Sequence, residues 1–211
     1  MNRFLFTIDV EDWFQVENLR PWNPPAAWDS RELRVEANVH ALLDLFDGKV
    51  RATFFVLGWL AERLPHLVRE IAARGHEVAS HGSSHRMCRP LSDAELKEEL
   101  AGSKRLLEDI TGTEVAGFRA PKFSVDDRVL SLAREAGYRY DSSYNSFSPW
   151  EIDPEQPRIG QASPVARFKH YTNLDKTMGK LRGMLEAFTG CRFVRCGEYI
   201  GEGARHSIKK K

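Results

Sequence analysis

Residues 52–86 read ATFFVLGWLAERLPHLVREIAARGHEVASHGSSHR, and the fold is decided here. Ala52 to Leu57 is a continuous apolar run, as expected of a parallel strand buried on both faces. Leu60 to Arg74 has helical spacing and stops at Gly75. Glu77 to Ser80 is the next short strand. Strand, helix and strand in such quick succession form a parallel βαβ unit. Just after its second strand stand His81-Gly82-Ser83-Ser84-His85. Two imidazoles four positions apart can share one side of a helical turn and converge on a point. Neutral imidazole is the commonest protein ligand for zinc and similar metals. Surface or capping histidines are the ordinary alternative, since the chain carries seven.

Upstream, Arg3 to Ile8 reads as a first buried strand, and Asp9-Val10-Glu11-Asp12-Trp13 places carboxylates at its end. A histidine pair needs such a carboxylate to complete a catalytic zinc triad with a position left open for water. Gln15 to Ser30, with Pro21, Pro24 and Pro25 and with Trp13, Trp22 and Trp28 nearby, reads as a long loop. Its aromatics are equally suited to lining a sugar-sized groove and to packing onto the body. A helix follows with Val35, Val39, Leu42, Leu43 and Phe46 on one face and Gly48 as its stop.

Downstream, Ser92 with Glu95 makes a capping box for a helix that runs to Gly112. Val115 to Arg119 is a fourth strand. Ser124 is expected to cap a helix through Ala136, and Tyr138 to Asp141 is a fifth strand. The chemistry-bearing clusters (Asp9 to Asp12, His81 to His85, Arg119 to Pro121, Asp141) each come after a strand, where α/β folds gather their sites. After Asp141 the rhythm breaks until a helical pattern at Leu174 to Phe188 and a short last strand at Cys191 to Arg195. About five strands plus a short one are few for a closed parallel barrel, which needs about eight.

At 211 residues the chain is the size of one domain, spanning 1–211, with an ordinary globular composition. A net charge of +1 provides no field to recruit nucleic acid or a membrane surface. Cys88, Cys191 and Cys196 suggest neither a disulfide framework nor a paired zinc motif. The apolar run Phe4 to Ile8 is too short for a signal sequence, and no segment is long enough to span a bilayer, so a cytoplasmic location is expected.

TIDVEDWF (7–14), the block at 52–86, GFRAPKFS (117–124), YRYDSS (138–143) and PWEIDPEQPR (149–158) together resemble the polysaccharide deacetylases. These are carbohydrate esterase family 4, with the NodB homology domain. The similarity is greatest to the branch associated with bacterial exopolysaccharide loci. The resemblance implies a deformed (β/α) barrel, here incomplete at about five to six parallel strands. It also implies a divalent metal, most often zinc, and hydrolysis of N-acetyl groups on the N-acetylhexosamine units of a polysaccharide or oligosaccharide.

Carried over by position, Asp9 matches the general base, and His81 and His85 match the metal ligands. Arg119 matches the arginine that holds the base, and Pro121 shares its motif. The Lys122 N–H falls where an oxyanion donor is placed. Val10 stands where the family has a second aspartate, so the third ligand is Glu11 or Asp12. Strand alternation favours Glu11, which shares a face with Asp9. Trp13 and Asp141 complete the candidate contacts to substrate, with packing and an Asx turn as their ordinary alternatives. Ser148 stands where relatives carry a histidine general acid, and the chain reaches PWEIDP with several dozen fewer residues, as though deleted near 145–150. His170 is a weak substitute. Two other functions therefore stay open: an inactive metal- or glycan-binding remnant, and an amidohydrolase of small cyclic amides.

Overall fold

The apolar runs become strands, and the periodic stretches between them become helices. The computed structural model describes residues 3–143, 174–187 and 191–200. In chain order these form β1 (Arg3–Leu5), β2 (Thr7–Val10), α1 (Val35–Phe46), β3 (Thr53–Val56), α2 (Gly58–Arg63), α3 (Pro65–Ala73) and β4 (Glu77–Ser80). Next come α4 (Asp93–Thr111), β5 (Gly117–Phe118), α5 (Asp127–Glu135), β6 (Tyr140–Asp141), α6 (Leu174–Ala187) and β7 (Arg192–Val194). All strand pairings among the described residues are parallel. One sheet has the order β2-β3-β4-β5-β6, and β1 pairs with β7. The run 3–10 thus carries β7 along its first part and β3 along its second, interrupted at Phe6. Together they make an open α/β barrel with fewer strands than a closed one requires.

Alternation along the strands sorts two apolar clusters. Ile8, Val10, Phe54, Val56, Val78 and Phe118 face the helices in the larger one, against Leu43, Phe46, Leu60, Ile71, Leu96 and Leu107. Phe55 and Ala79, on the opposite face, join Tyr140 and Cys196 in a smaller cluster.

Several boundaries depart from the sequence reading. The helix expected over 60–74 is two helices, because Pro65 disfavours α geometry at Leu64, whose ψ is 52°. Asp126, not Ser124, caps α5, accepting from Val129 N at 2.9 Å. The Ser124 hydroxyl instead accepts from Arg89 N. The loop after β2 contains short 3-10 turns at Trp13–Gln15, Glu17–Leu19 and Pro25–Ser30. Among the described residues, no helix is long and apolar enough to cross a membrane. Ser148, PWEIDP and His170 lie outside the described residues.

Candidate metal and hydrolytic site

Parallel register by itself brings the expected residues together. Val10, Val56, Ser80, Phe118 and Asp141 lie in one row across the sheet. The ladder runs one step further, through His81 N to Val56 O, Arg119 N to Ser80 O and Ser142 N to Phe118 O. The next row therefore contains Glu11, His81, Arg119 and Ser142, at the carboxyl ends of the strands. Glu11, His81 and His85 each offer a ligand atom within 4.8 Å of the others. The imidazole centroids are 5.3 Å apart.

The buried His81 Nδ1 lies 2.8 Å from the Arg119 carbonyl. A carbonyl only accepts, so Nδ1 carries the proton and the Nε2 lone pair is available to a cation. Burial holds this imidazole below its ordinary pKa and thus neutral. His85 Nε2 is 2.6 Å from Glu11 Oε2. Burial alone would raise the Glu11 carboxyl, but the hydrogen bond to His85 and the fields of the two imidazoles outweigh it and bring it below the usual value. His85 Nδ1 is buried with no hydrogen-bond partner among the described residues. A neutral imidazole, a second one with an orphaned ring nitrogen, and an ionised carboxylate are a donor set that suits a divalent cation.

Behind this group, Asp9 and Arg119 form an ion pair at 2.7 Å, with the arginine side chain only 4% exposed. Every arm of the guanidinium is committed. Nη1 donates to Asp9, Nη2 to the Thr7 and Ser142 hydroxyls, and Nε to the Ser142 carbonyl. The plane also lies 4.1 Å from the Phe55 ring centroid.

The remaining expectations divide. Asp12 does not join the ligand group, which corrects its place as the alternative ligand. It points to the core side of the strand, 2% exposed, and accepts from the backbone of Trp13, Arg34 and Val35. It thereby ties the 13–15 turn to the start of α1. Trp13 is half-buried, with its indole N–H donated to the Glu32 carbonyl and Arg34 over its ring. Pro121 is buried, with its ring next to Gly82. The Asp141 carboxylate accepts from Ser143 N at 2.9 Å and from its hydroxyl at 2.6 Å. Ser143 in turn accepts from Ala120 N. Asp141 therefore takes the turn-forming part and steadies the Arg119-to-Lys122 segment. Lys122 is exposed, in the left-handed region at φ 55°. The hydrogen bonds of its turn run from Phe123 N and Ser124 N, so its own amide is not consumed by them.

Sequence reading missed Thr7, Ser142 and Ser143, small polar residues whose importance arises only from their distance to Arg119 and Ala120. It also missed Glu99 on α4, whose carboxylate accepts from the amides of Ser83 and Ser84. A cleft of about 170 Å³, lined by Glu17, Arg20, Arg86, Met87, Pro90 and Leu91, opens beside the histidine loop.

Comparison with known proteins places the fold and the family. Residues 28–140 match the family model described as polysaccharide deacetylase, and residues 128–200 match a domain of unknown function, DUF3473. A peptidoglycan-N-acetylglucosamine deacetylase of Bacillus cereus is 34% identical over 106 residues, 50% of this chain and 47% of the relative. A chitooligosaccharide deacetylase of Sinorhizobium fredii is 30% identical over 111 residues, 52% of this chain and 48% of the relative. The chain spans about half the length of these curated relatives. A family 4 carbohydrate esterase from Bacillus anthracis shares the fold, with a TM-score of 0.63 at 24% identity over 95% of this chain and 83% of its own. A CE4 family pseudoenzyme from the same organism has a TM-score of 0.52 at 21% identity, over 66% and 42% of the two chains. With more than half of its 211 residues matched by that family model, the chain belongs to the polysaccharide deacetylase family.

Proposed function

We propose that this chain is a metal-dependent N-deacetylase acting on N-acetylhexosamine units of a polysaccharide, the polymer being a bacterial exopolysaccharide. One observation carries the reading: Glu11, His81 and His85 converge beside the Asp9–Arg119 pair at the strand ends. Glu11, His81 and His85 would hold the cation, which when bound supplies Lewis-acid polarisation of the acetyl carbonyl and a water of lowered pKa. Asp9 is the general base that takes the proton from the attacking water. Arg119 holds and aims that carboxylate through the Nη1–H donated to it at 2.7 Å. The Lys122 amide is the donor to the developing oxyanion. The cleft at Glu17, Arg20 and Arg86 receives neighbouring sugar units.

Protonation of the leaving amine requires an acid, and Ser148 stands where the resemblance implies a histidine. Loss of a general acid typically costs about 10²–10⁴-fold, so turnover is expected to be slow. The same observation favours, as a second reading, a remnant that binds metal or glycan without turning over. Both readings are tested by zinc content and by acetate release from N-acetylglucosamine oligomers, measured on the wild type, Asp9→Asn and His81→Ala. The first reading expects zinc in the wild type and in Asp9→Asn but not in His81→Ala, with acetate released measurably by the wild type alone. Bound zinc without acetate from any form selects the second. Equal acetate from all three removes the deacetylase reading.

A further inference from the structure

The histidine loop is clamped from both sides. Its carbonyls at Gly82 and Ser83 accept from Gly58 N and Trp59 N, each at 2.8 Å, at the start of α2. A Cβ on Gly58 would lie 3.0 Å from the Ser83 Cα, so only glycine permits this approach comfortably. The amides on the other side turn to α4. Gly82 N donates to Ser80 Oγ, which is itself 2.7 Å from Ser103 Oγ. Ser83 N and Ser84 N both donate to Glu99 Oε2, at 3.0 and 2.9 Å. The Ser84 hydroxyl donates to Glu99 Oε1, and the Ser83 hydroxyl to the Glu99 carbonyl. Glu99 and Ser103 are one turn apart, so a polar strip of α4 faces the loop.

A carboxylate satisfying partly buried amides is ordinarily no more than structural. What separates this one is the residue next along the loop. His85 comes directly after Ser84 and has φ 53°, a conformation that is strained for a non-glycine residue and persists only where its surroundings enforce it. Anchoring the two preceding amides on one oxygen turns the chain back and brings His85 opposite His81 and Glu11. Glu99 itself is outside the ligand group, and both its oxygens already accept hydrogen bonds.

Resting on the reading of Glu11, His81 and His85 as metal ligands, we infer that Glu99 is a positioning residue for the cation site. It sets the metal affinity through the Ser83–Ser84 amides without touching the ion.

The test is zinc affinity by chelator competition, with the visible spectrum of the cobalt-loaded protein as a report of ligand geometry. Glu99→Ala is expected to weaken zinc binding by about 10–100-fold and to shift the cobalt bands. Glu99→Gln, whose amide oxygen still accepts both N–H groups, is expected to bind within about threefold of the wild type. Glu108→Ala is the control for general destabilisation. It removes the hydrogen bonds from Lys104 Nζ and Val115 N further along the same helix, takes away none of the loop contacts, and should keep wild-type affinity. If Glu99→Ala does not fold, Glu99→Asp decides, since its retracted carboxylate should also weaken binding. Unchanged affinity in Glu99→Ala or Glu99→Asp, while His81→Ala loses zinc, overturns the positioning role alone. So does an equal loss in Glu108→Ala. A wild type that binds no zinc overturns the ligand reading and the positioning role together.

Discussion

Glu11 and Asp12 are adjacent acids with opposite fates, and their separation is a matter of which side of the strand each leaves. Glu11 continues the Thr7, Asp9 face towards the imidazoles, whereas Asp12 turns to the core and satisfies three backbone N–H groups. Asp12→Ala is therefore expected to lower unfolding free energy by about 2–3 kcal/mol, the cost of orphaned buried donors, while leaving zinc affinity unchanged. Glu11→Ala should do the reverse, releasing zinc with little loss in urea midpoint of the metal-free protein. Measuring both quantities on both variants checks the assignment. Arg119 is similarly specific. A lysine there keeps the charge but cannot reach Asp9, Thr7 and Ser142 together, so Arg119→Lys is expected to lose about 3 kcal/mol in urea unfolding.

At the scale of elements, α4 does two jobs: its start is self-sufficient, and its middle holds the histidine loop. Ser92 and Glu95 cap one another's backbone reciprocally. Ser92→Ala is expected to cost about 1 kcal/mol in urea unfolding and to leave zinc affinity untouched, because this cap lies far along the helix from Glu99. Strands β5 and β6 pair over only two residues each, yet they contribute Arg119, Ser142 and Ser143 just beyond their ends. Short strands suffice where side-chain bonds, not the ladder, fix the segments beyond them. The split of the expected 60–74 helix at Pro65 lets α2 direct its N-terminus at the loop carbonyls while α3 packs Leu67, Val68 and Ile71 into the core.

For the molecule as a whole, an acid sensitivity is expected from His76, which is buried between α3 and β4 and accepts from Ala52 N through Nδ1. Burial first, then the charges of Arg51, Arg74 and Arg195, push its imidazole down to about 4. The unfolded chain takes up this proton near 6.5, while the folded chain resists until about 4. Between these values the unfolded state binds more protons, so stability falls as pH drops, by about 2–3 kcal/mol across the window, and is unaffected by this group above it. Urea midpoints at pH 7 and pH 4.5 should show a smaller drop for His76→Gln than for the wild type. An equal drop would dismiss His76 as the source. At the opposite end of the strands from the site, Thr53 donates to Glu77, which also accepts from Tyr140 and from Gly197 N, while Cys196 N donates back to Thr53. The segment after β7 is thereby bound to β3, β4 and β6 across the interior.

The sequence by itself determined the parallel α/β architecture, because unbroken apolar strands and 3.6-periodic helices are local patterns that each fix their own environment. It also placed Asp9, Glu11, His81, His85 and Arg119 at strand ends, since a strand's carboxyl end is marked by where its apolar run stops. Only the tertiary structure decided that Asp12 is a cap and that Asp141 steadies a turn. The same holds for Thr7, Ser142 and Glu99, whose contacts come from strands and helices distant along the chain. A hydrogen bond between residues far apart in sequence depends on register and packing together, and no local pattern records either.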